Sequence, residues 1–372
     1  MAVYLDHNAS APMSREVAEE LRALLLEMHG NPSSVHQSGR KARARIEGVR
    51  RRLAKELGGQ PNEITFTSGA TEATTLVLSS LVEPGDHVVC SAFENPAIHG
   101  ALAALNARVT YIRGDAMGRL NPADFQAAVD ETTALVIVMM AQNEIGNIFP
   151  VKDIVTSVKP VPVFCDAVQA LGRIEFDVEE LGIKAASVSA HKIGGPTGVG
   201  ALWLKAGTEL KPTIHGGPQE RGRRAGTENV VGIAGFGTAL KHLAARRADS
   251  KRQLGLKKTL IAGLLKTIDG VHVHGDLEKC LANTLSFRIE GVSGELLLQA
   301  LDLAGFQISS GSACSSGGLE PSETLLALGL TQEQARSGLR VSLGMETTNN
   351  DIDEFLSTLP GLIARIRASS KA

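Results

Sequence analysis

Between residues 40 and 59 the apolar residues Ala42, Ile46, Val49, Leu53 and Leu57 recur three or four positions apart, with lysines and arginines between them and Gly58 and Gly59 closing the run. That spacing predicts an amphipathic helix with a basic outer face, so the Arg50, Arg51, Arg52 triplet reads as solvated. Short β-rich runs then alternate with helical patterns, at 64–67, 87–91, 108–112, 134–140, 161–165, 186–189 and 201–204. The alternation predicts an α/β fold whose mainly parallel sheet is flanked by helices. Ligands of such sheets sit beyond the carboxyl ends of the strands. The segments 68–72, 166–169 and 191–192 each follow a strand and are therefore expected to converge.

Past about residue 250 the texture changes to long charged helices, a strand at 284–289, a Ser/Gly loop at 309–318 and a last strand near 339–343. Thr331 with Gln334 has the form of a capping box, and Ser293 is placed to cap a helix running through Leu303. A chain of 372 residues exceeds one hydrophobic core. The expected division is a large domain over 15–250 and a smaller α+β domain made of 1–14 and 251–372.

Charge and cysteine usage narrow the function classes. Lys plus Arg number 38 against 40 Asp plus Glu, which offers no global attraction to nucleic acid or anionic lipid. The longest apolar run, Ala134 to Ala141, is far short of the ~20 residues of a membrane-spanning helix. A cytoplasmic protein acting on small molecules is expected. Cys90, Cys165, Cys280 and Cys314 are scattered without C-x-x-C spacing, and His272 and His274 alternate along a strand without companion ligands, so no metal is assigned.

Three short segments carry candidate chemistry. Ser68 to Glu72 leaves a strand and opens a helix, where free N–H groups and hydroxyls suit a phosphate, although such a turn is more often plain connection. Asp166 and Gln169 end an apolar strand, where a carboxylate and an amide could grip a heteroaromatic ring or cap a helix. The following strand delivers Ser189, His191 and Lys192 into a glycine-rich turn, and a desolvated lysine near other cations suits imine formation.

With these pieces the chain resembles the class V aminotransferase family, and within it the cysteine desulfurases of nitrogen fixation and iron–sulfur assembly. The resemblance spans YLDHNA (4–9), GNPSSVH (30–36), FTSGATE (66–72), NEIG (143–146), SAHKIGG (189–195), ERGRRAGT (220–227) and SSGSACS (309–315). It implies pyridoxal 5'-phosphate (PLP) fold type I and a homodimer with sites at the interface. It further implies that Lys192 carries PLP as an imine, Asp166 faces the pyridine nitrogen, and Gln169 bonds the ring hydroxyl. Ala70, Thr71, Ser189 and His191 would surround the phosphate, with Thr227 coming from the other subunit. Asn143 and Arg340 would bind the substrate, L-cysteine, and Cys314 would take its sulfur as a persulfide and pass it to a sulfur-acceptor or iron–sulfur scaffold protein.

One departure from the family pattern matters most. Asn95 follows Glu94 where the family carries a histidine that stacks on the ring, and an amide has no useful basicity near neutral pH. His99 lies one helical turn later. Gln142 and Gln219 are milder deviations. The departure leaves two other readings open: a related PLP-dependent C–S or C–Se lyase or aminotransferase, and a catalytically weak PLP-binding scaffold that docks sulfur-assembly proteins.

Overall fold

The computed structural model describes residues 2–310 and 320–369. Its strands are β1 Val3–Tyr4, β2 Ile64–Thr67, β3 His87–Ser91, β4 Arg108–Ile112, β5 Thr133–Ile137, β6 Val163–Asp166, β7 Ala185–Ser189, β8 Gly200–Leu204, β9 Val271–His274, β10 Thr284–Ile289, β11 Phe306–Gln307, β12 Ser309–Ser310 and β13 Leu339–Ser342. They form a seven-stranded sheet in the order β2-β8-β7-β6-β5-β3-β4, a four-stranded sheet β12-β13-β10-β9 and the pair β1-β11. The α/β class expected from the sequence is the one observed.

Apart from the largely exposed edge strand β4, the large sheet is buried on both faces, which explains why its other strands read as mostly apolar runs. Phe66, Val89, Val136, Val163, Cys165, Val188 and Trp203 point into one core. Their sequence neighbours Val88, Cys90, Leu135, Phe164, Leu202 and Leu204 point into another, as the two-residue period of a strand requires. Strands β3, β4, β5, β6 and β7 run parallel, whereas β8 is antiparallel to both β7 and β2. Two reversals restore the direction of β2, so Thr67, Ser189 and Asp166 all end at the same sheet edge. Thr67 and Ser189 both face Gly200, whose absent side chain matters: a Cβ there would lie 2.7 Å from the Gly69 backbone.

The helix Gln37–Leu57 ends at Gly58 in the left-handed conformation, as its spacing predicts. Arg50 departs from expectation. Only 3% exposed, it makes a two-pronged ion pair with Glu220, Nη1 to Oε2 and Nη2 to Oε1 at 2.7 Å each, and donates to the carbonyl of Ile64. The inward face of the helix reaches round to position 50, and a partner 170 residues away supplies the compensating charge. Arg51 and Arg52 remain exposed.

The four-stranded sheet packs its apolar face, with Leu285, Phe287, Leu339 and Val341, on helices Gly294–Leu303, Leu243–Thr267 and Asn349–Ser369. Leu5 joins this core, and β1 pairs with β11. Ser293 caps its helix and Thr331 with Gln334 forms the capping box.

Candidate active site

The segment 6–10 crosses the carboxyl edge of the large sheet and holds the candidate groups together. Lys192 sits in a short turn after β7, which Gly194 closes at φ +79°. Its Nζ donates to the carbonyl oxygens of Asn8 and Ala9, at 2.6 and 2.8 Å. Gln169 Nε2 donates to the same Asn8 oxygen at 3.1 Å, and His191 Nδ1 lies 3.3 Å from Ser10 Oγ. Asn8 is thus a hub. Its side-chain amide donates to the Asn143 carbonyl at 3.0 Å and to Thr284 Oγ1 at 2.8 Å, while its oxygen accepts from Asn283 at 2.9 Å.

Asp166 ends β6, buried, with Oδ1 accepting from the Val168 N–H at 2.8 Å. Burial raises its carboxyl to about 6, opposed by that hydrogen bond and by the charge of Lys192. Burial also lowers His191 to about 4, with Lys192 adding to the shift, so the imidazole is neutral at pH 7. Arg340 on β13 is 3% exposed; Nη2 donates to Asp6 Oδ1 at 2.7 Å and Nη1 to the Asn143 carbonyl at 3.2 Å. The sequence-derived candidates Lys192, Asp166, Gln169, His191, Asn143 and Arg340 therefore form one cluster.

Three orphaned atoms bear on what the cluster could hold. Gln169 Oε1 and Arg340 Nε are buried without a protein partner, which calls for a donor at the first and an acceptor at the second. An added Cβ at Gly69 or Gly198 would meet nothing within 4 Å, so there is room over the turn that carries Ala70 and Thr71. Glu94 Oε2 is also buried and unpartnered, while Oε1 accepts from the Met139 N–H at 2.7 Å. A polar aromatic group with a hydroxyl beside Gln169 and an anionic tail at the helix Ala70–Leu81 suits these features.

The remaining candidates are placed as follows. Ser189 is buried at the end of β7, and Thr71 is exposed in the first turn of its helix. Thr227 is exposed on the segment after Glu220. Asn95 is the N-cap of helix Pro96–Ala104, its side-chain oxygen accepting from the Ala97 N–H at 3.0 Å. His99 contacts Tyr111, Nδ1 to the phenol oxygen at 3.3 Å. Cys314 lies outside the described residues.

Comparison with known proteins decides the family. The class-V aminotransferase model matches residues 3–355. The chain belongs to that family. Membership implies PLP dependence. The chain is 40% identical to "Cysteine desulfurase IscS" of Dictyoglomus turgidum, over 99% of its own length and 96% of the relative's, and 39% identical to the protein of that name in Methanosarcina thermophila, over 99% and 94%. Among solved structures it resembles a "NifS-like protein" with TM-score 0.91 and 34% identity, covering 98% of this chain and all of that one. "SspA in complex with cysteine" follows at TM-score 0.80 and 30% identity, over 92% and 98%.

Two further carboxylates beside the candidate residues come from the structure. Glu144 accepts from Ser322 Oγ at 2.5 Å and Thr324 Oγ1 at 3.2 Å, and burial lifts its carboxyl to about 7 against those bonds and the charge of Arg340. Glu72 accepts from the Ser68 N–H at 2.8 Å and pairs with Arg224 at 2.9 Å, drawing the 220–227 segment onto the 68–72 turn. Both sit inside family motifs, but only the fold shows their partners. Among the described residues no cluster could hold a metal, and no helix is long and apolar enough to cross a membrane.

Proposed function

We propose that the chain is a cysteine desulfurase that converts L-cysteine to L-alanine and leaves the sulfur on Cys314. The balance is closed: the substrate C–S bond breaks, a sulfur–sulfur bond forms at Cys314, and the substrate carbon takes up a proton to become alanine. The observation that carries the reading is the convergence of Lys192, Asp166, Gln169 and Arg340 on one sheet edge in a chain kin to cysteine desulfurases over its whole length.

PLP would be held by Lys192, with Asp166 at the pyridine nitrogen, Gln169 at the ring hydroxyl, and Ala70, Thr71, Ser189 and His191 around the phosphate. Asn95 is assigned to the ring's vicinity and Thr227 to the phosphate of the partner subunit's site. When bound, the cofactor supplies an electron sink for the substrate Cα. Asp166 favours a protonated ring nitrogen by holding a carboxylate in a dry setting. Lys192 carries the Cα proton. Arg340, whose Nε has no partner, offers a forked donor to the substrate carboxylate, which must compete with Asp6, and Asn143 lies beside it. The protein is read as a cytoplasmic homodimer, with a large domain over 15–250 and a small one over 1–14 and 251–372, delivering sulfur to an iron–sulfur or thio-cofactor assembly protein.

A second reading, slow turnover with a docking role, is favoured by Asn95, whose oxygen is engaged as a helix cap. One experiment separates the two: purified protein is mixed with L-cysteine and alanine is followed. Alanine beyond one equivalent, dependent on Lys192 and Cys314, is expected. Pyruvate as product, or no alanine from a preparation that has taken up PLP, refutes the desulfurase reading.

A further inference from the structure

Away from this site, a buried lysine faces a cysteine. Lys257, 2% exposed, projects from the long helix Leu243–Thr267, and its Nζ lies 2.9 Å from Cys280 Sγ and 2.9 Å from the Leu281 carbonyl oxygen. Its recorded partners are thus a carbonyl and a sulfur, not a carboxylate. The nitrogen–sulfur distance is shorter than the ~3.5–4.0 Å optimum for non-bonded carbon atoms, although sulfur is the larger atom. Cys280 is half-buried, so it is the member of the pair that is partly open to solvent. Cys90 and Cys165 differ: each is completely buried and burial pushes its thiol up.

The surroundings hold this geometry. Residues 279–281 lie as a strap along the loop that follows β5: Ile148 N–H donates to the Lys279 carbonyl at 2.9 Å and Leu281 N–H to the Gly146 carbonyl at 2.8 Å, and Cys280 bridges to Asn147. On the other side the lysine stem is fixed by its helix, which joins two cores, with Leu243 in the first and Leu256, Leu260 and Leu264 in the second.

We propose that Lys257 and Cys280 are an oxidative modification site at which one oxygen atom bridges Nζ and Sγ. The oxidant is dioxygen. One of its atoms forms the N–O and O–S bonds, and the other leaves as water with one hydrogen from the amine and one from the thiol; an ammonium first gives its extra proton to solvent. Nitrogen and sulfur are oxidised and dioxygen is reduced. Two equivalents of a dithiol reverse the change, restoring amine and thiol and releasing water. The bridge would lock the long helix to the strap, whose partner on the facing loop, Asn147, is four positions from Asn143. It is independent of the chemistry at Cys314.

The test uses the full-length protein, purified without air and then divided between reductant and air-saturated buffer. Peptide mass spectrometry of the air-exposed sample is expected to show Lys257 and Cys280 joined, heavier by one oxygen and lighter by two hydrogens than the two peptides. The species should vanish on treatment with dithiothreitol and be absent from Cys280→Ser and Lys257→Arg. Free Lys257 and Cys280 after prolonged air exposure would overturn the proposal, as would oxidation of Cys280 to a disulfide or sulfinate alone. The wild-type comparison decides the matter even if a variant fails to fold.

Discussion

Replacing Glu220 by Ala removes the carboxylate that neutralises buried Arg50. Burial by itself would lower the Arg50 guanidinium, and the hydrogen bond and charge of Glu220, helped by Glu47, more than reverse this. Glu220 also accepts from the Phe66 N–H at 2.9 Å, so truncation strands a cation and a strand amide together. Removing one partner of a buried pair costs about 3–5 kcal/mol. Trp203, the only tryptophan, is fully buried in the same core, so its fluorescence reports on that core. With an m-value of about 3 kcal/mol/M, the urea midpoint should fall by about 1–1.7 M. The double variant Arg50→Met with Glu220→Leu should recover much of the loss, because no charge is left stranded. A Glu220→Ala midpoint within about 0.3 M of wild type, a change of about 1 kcal/mol at that m-value, would refute the reasoning. So would a double variant as unstable as the sum of its singles.

Three other outcomes follow from the same geometry. Burial raises Glu94 to about 8, whereas an unfolded Glu ionises near ~4.3, so between those values the native state keeps a proton that the unfolded chain has released and stability falls as pH rises. Glu94→Gln should flatten this part of the melting temperature profile; His7, His191 and His274, lowered to about 4, lose stability as pH falls below ~6.5 in both proteins and cancel in the comparison. An unchanged slope would count against a buried, protonated Glu94. Arg340→Gln should raise the KM for L-cysteine roughly 10- to 150-fold, from the ~1.5–3 kcal/mol of a hydrogen bond to a charged group, read from alanine formation. An unaltered KM would remove Arg340 from the substrate site. Asn95→His should speed alanine release, up to the ~10²–10⁴-fold that a positioned proton carrier contributes. It should also cost about 1 kcal/mol of thermal stability through the lost cap, and a slower enzyme would show that position 95 handles no proton.

Local periodicity and glycine conformation made the α/β class, the seven strands of the large sheet and the C-terminal end of the helix Gln37–Leu57 legible in the chain, whereas the start of that helix, capped by His36, lies three residues before the apolar pattern indicated. The sequence also singled out the segments around Ser68, Asp166 and Lys192, since each follows a strand whose direction the alternation implies. Residue partners were beyond its reach. Arg50 carries the same local signal as Arg51 and Arg52, and only Glu220, 170 positions away, makes it an interior residue. Asn8 lies within the 4–9 motif, but only the fold shows that the segments around Asn143, Gln169, Lys192 and Thr284 meet on it. Glu144 gains its hydroxyl partners from a helix that starts 179 residues later, at Glu323, and its N-cap, Ser322. Lys257 and Cys280 are unremarkable in the chain and meet because a helix and a strap are packed against each other. Local patterns are written in neighbouring residues, whereas the compensation of buried charge is written in contacts between distant ones, and those exist only once the tertiary structure has formed.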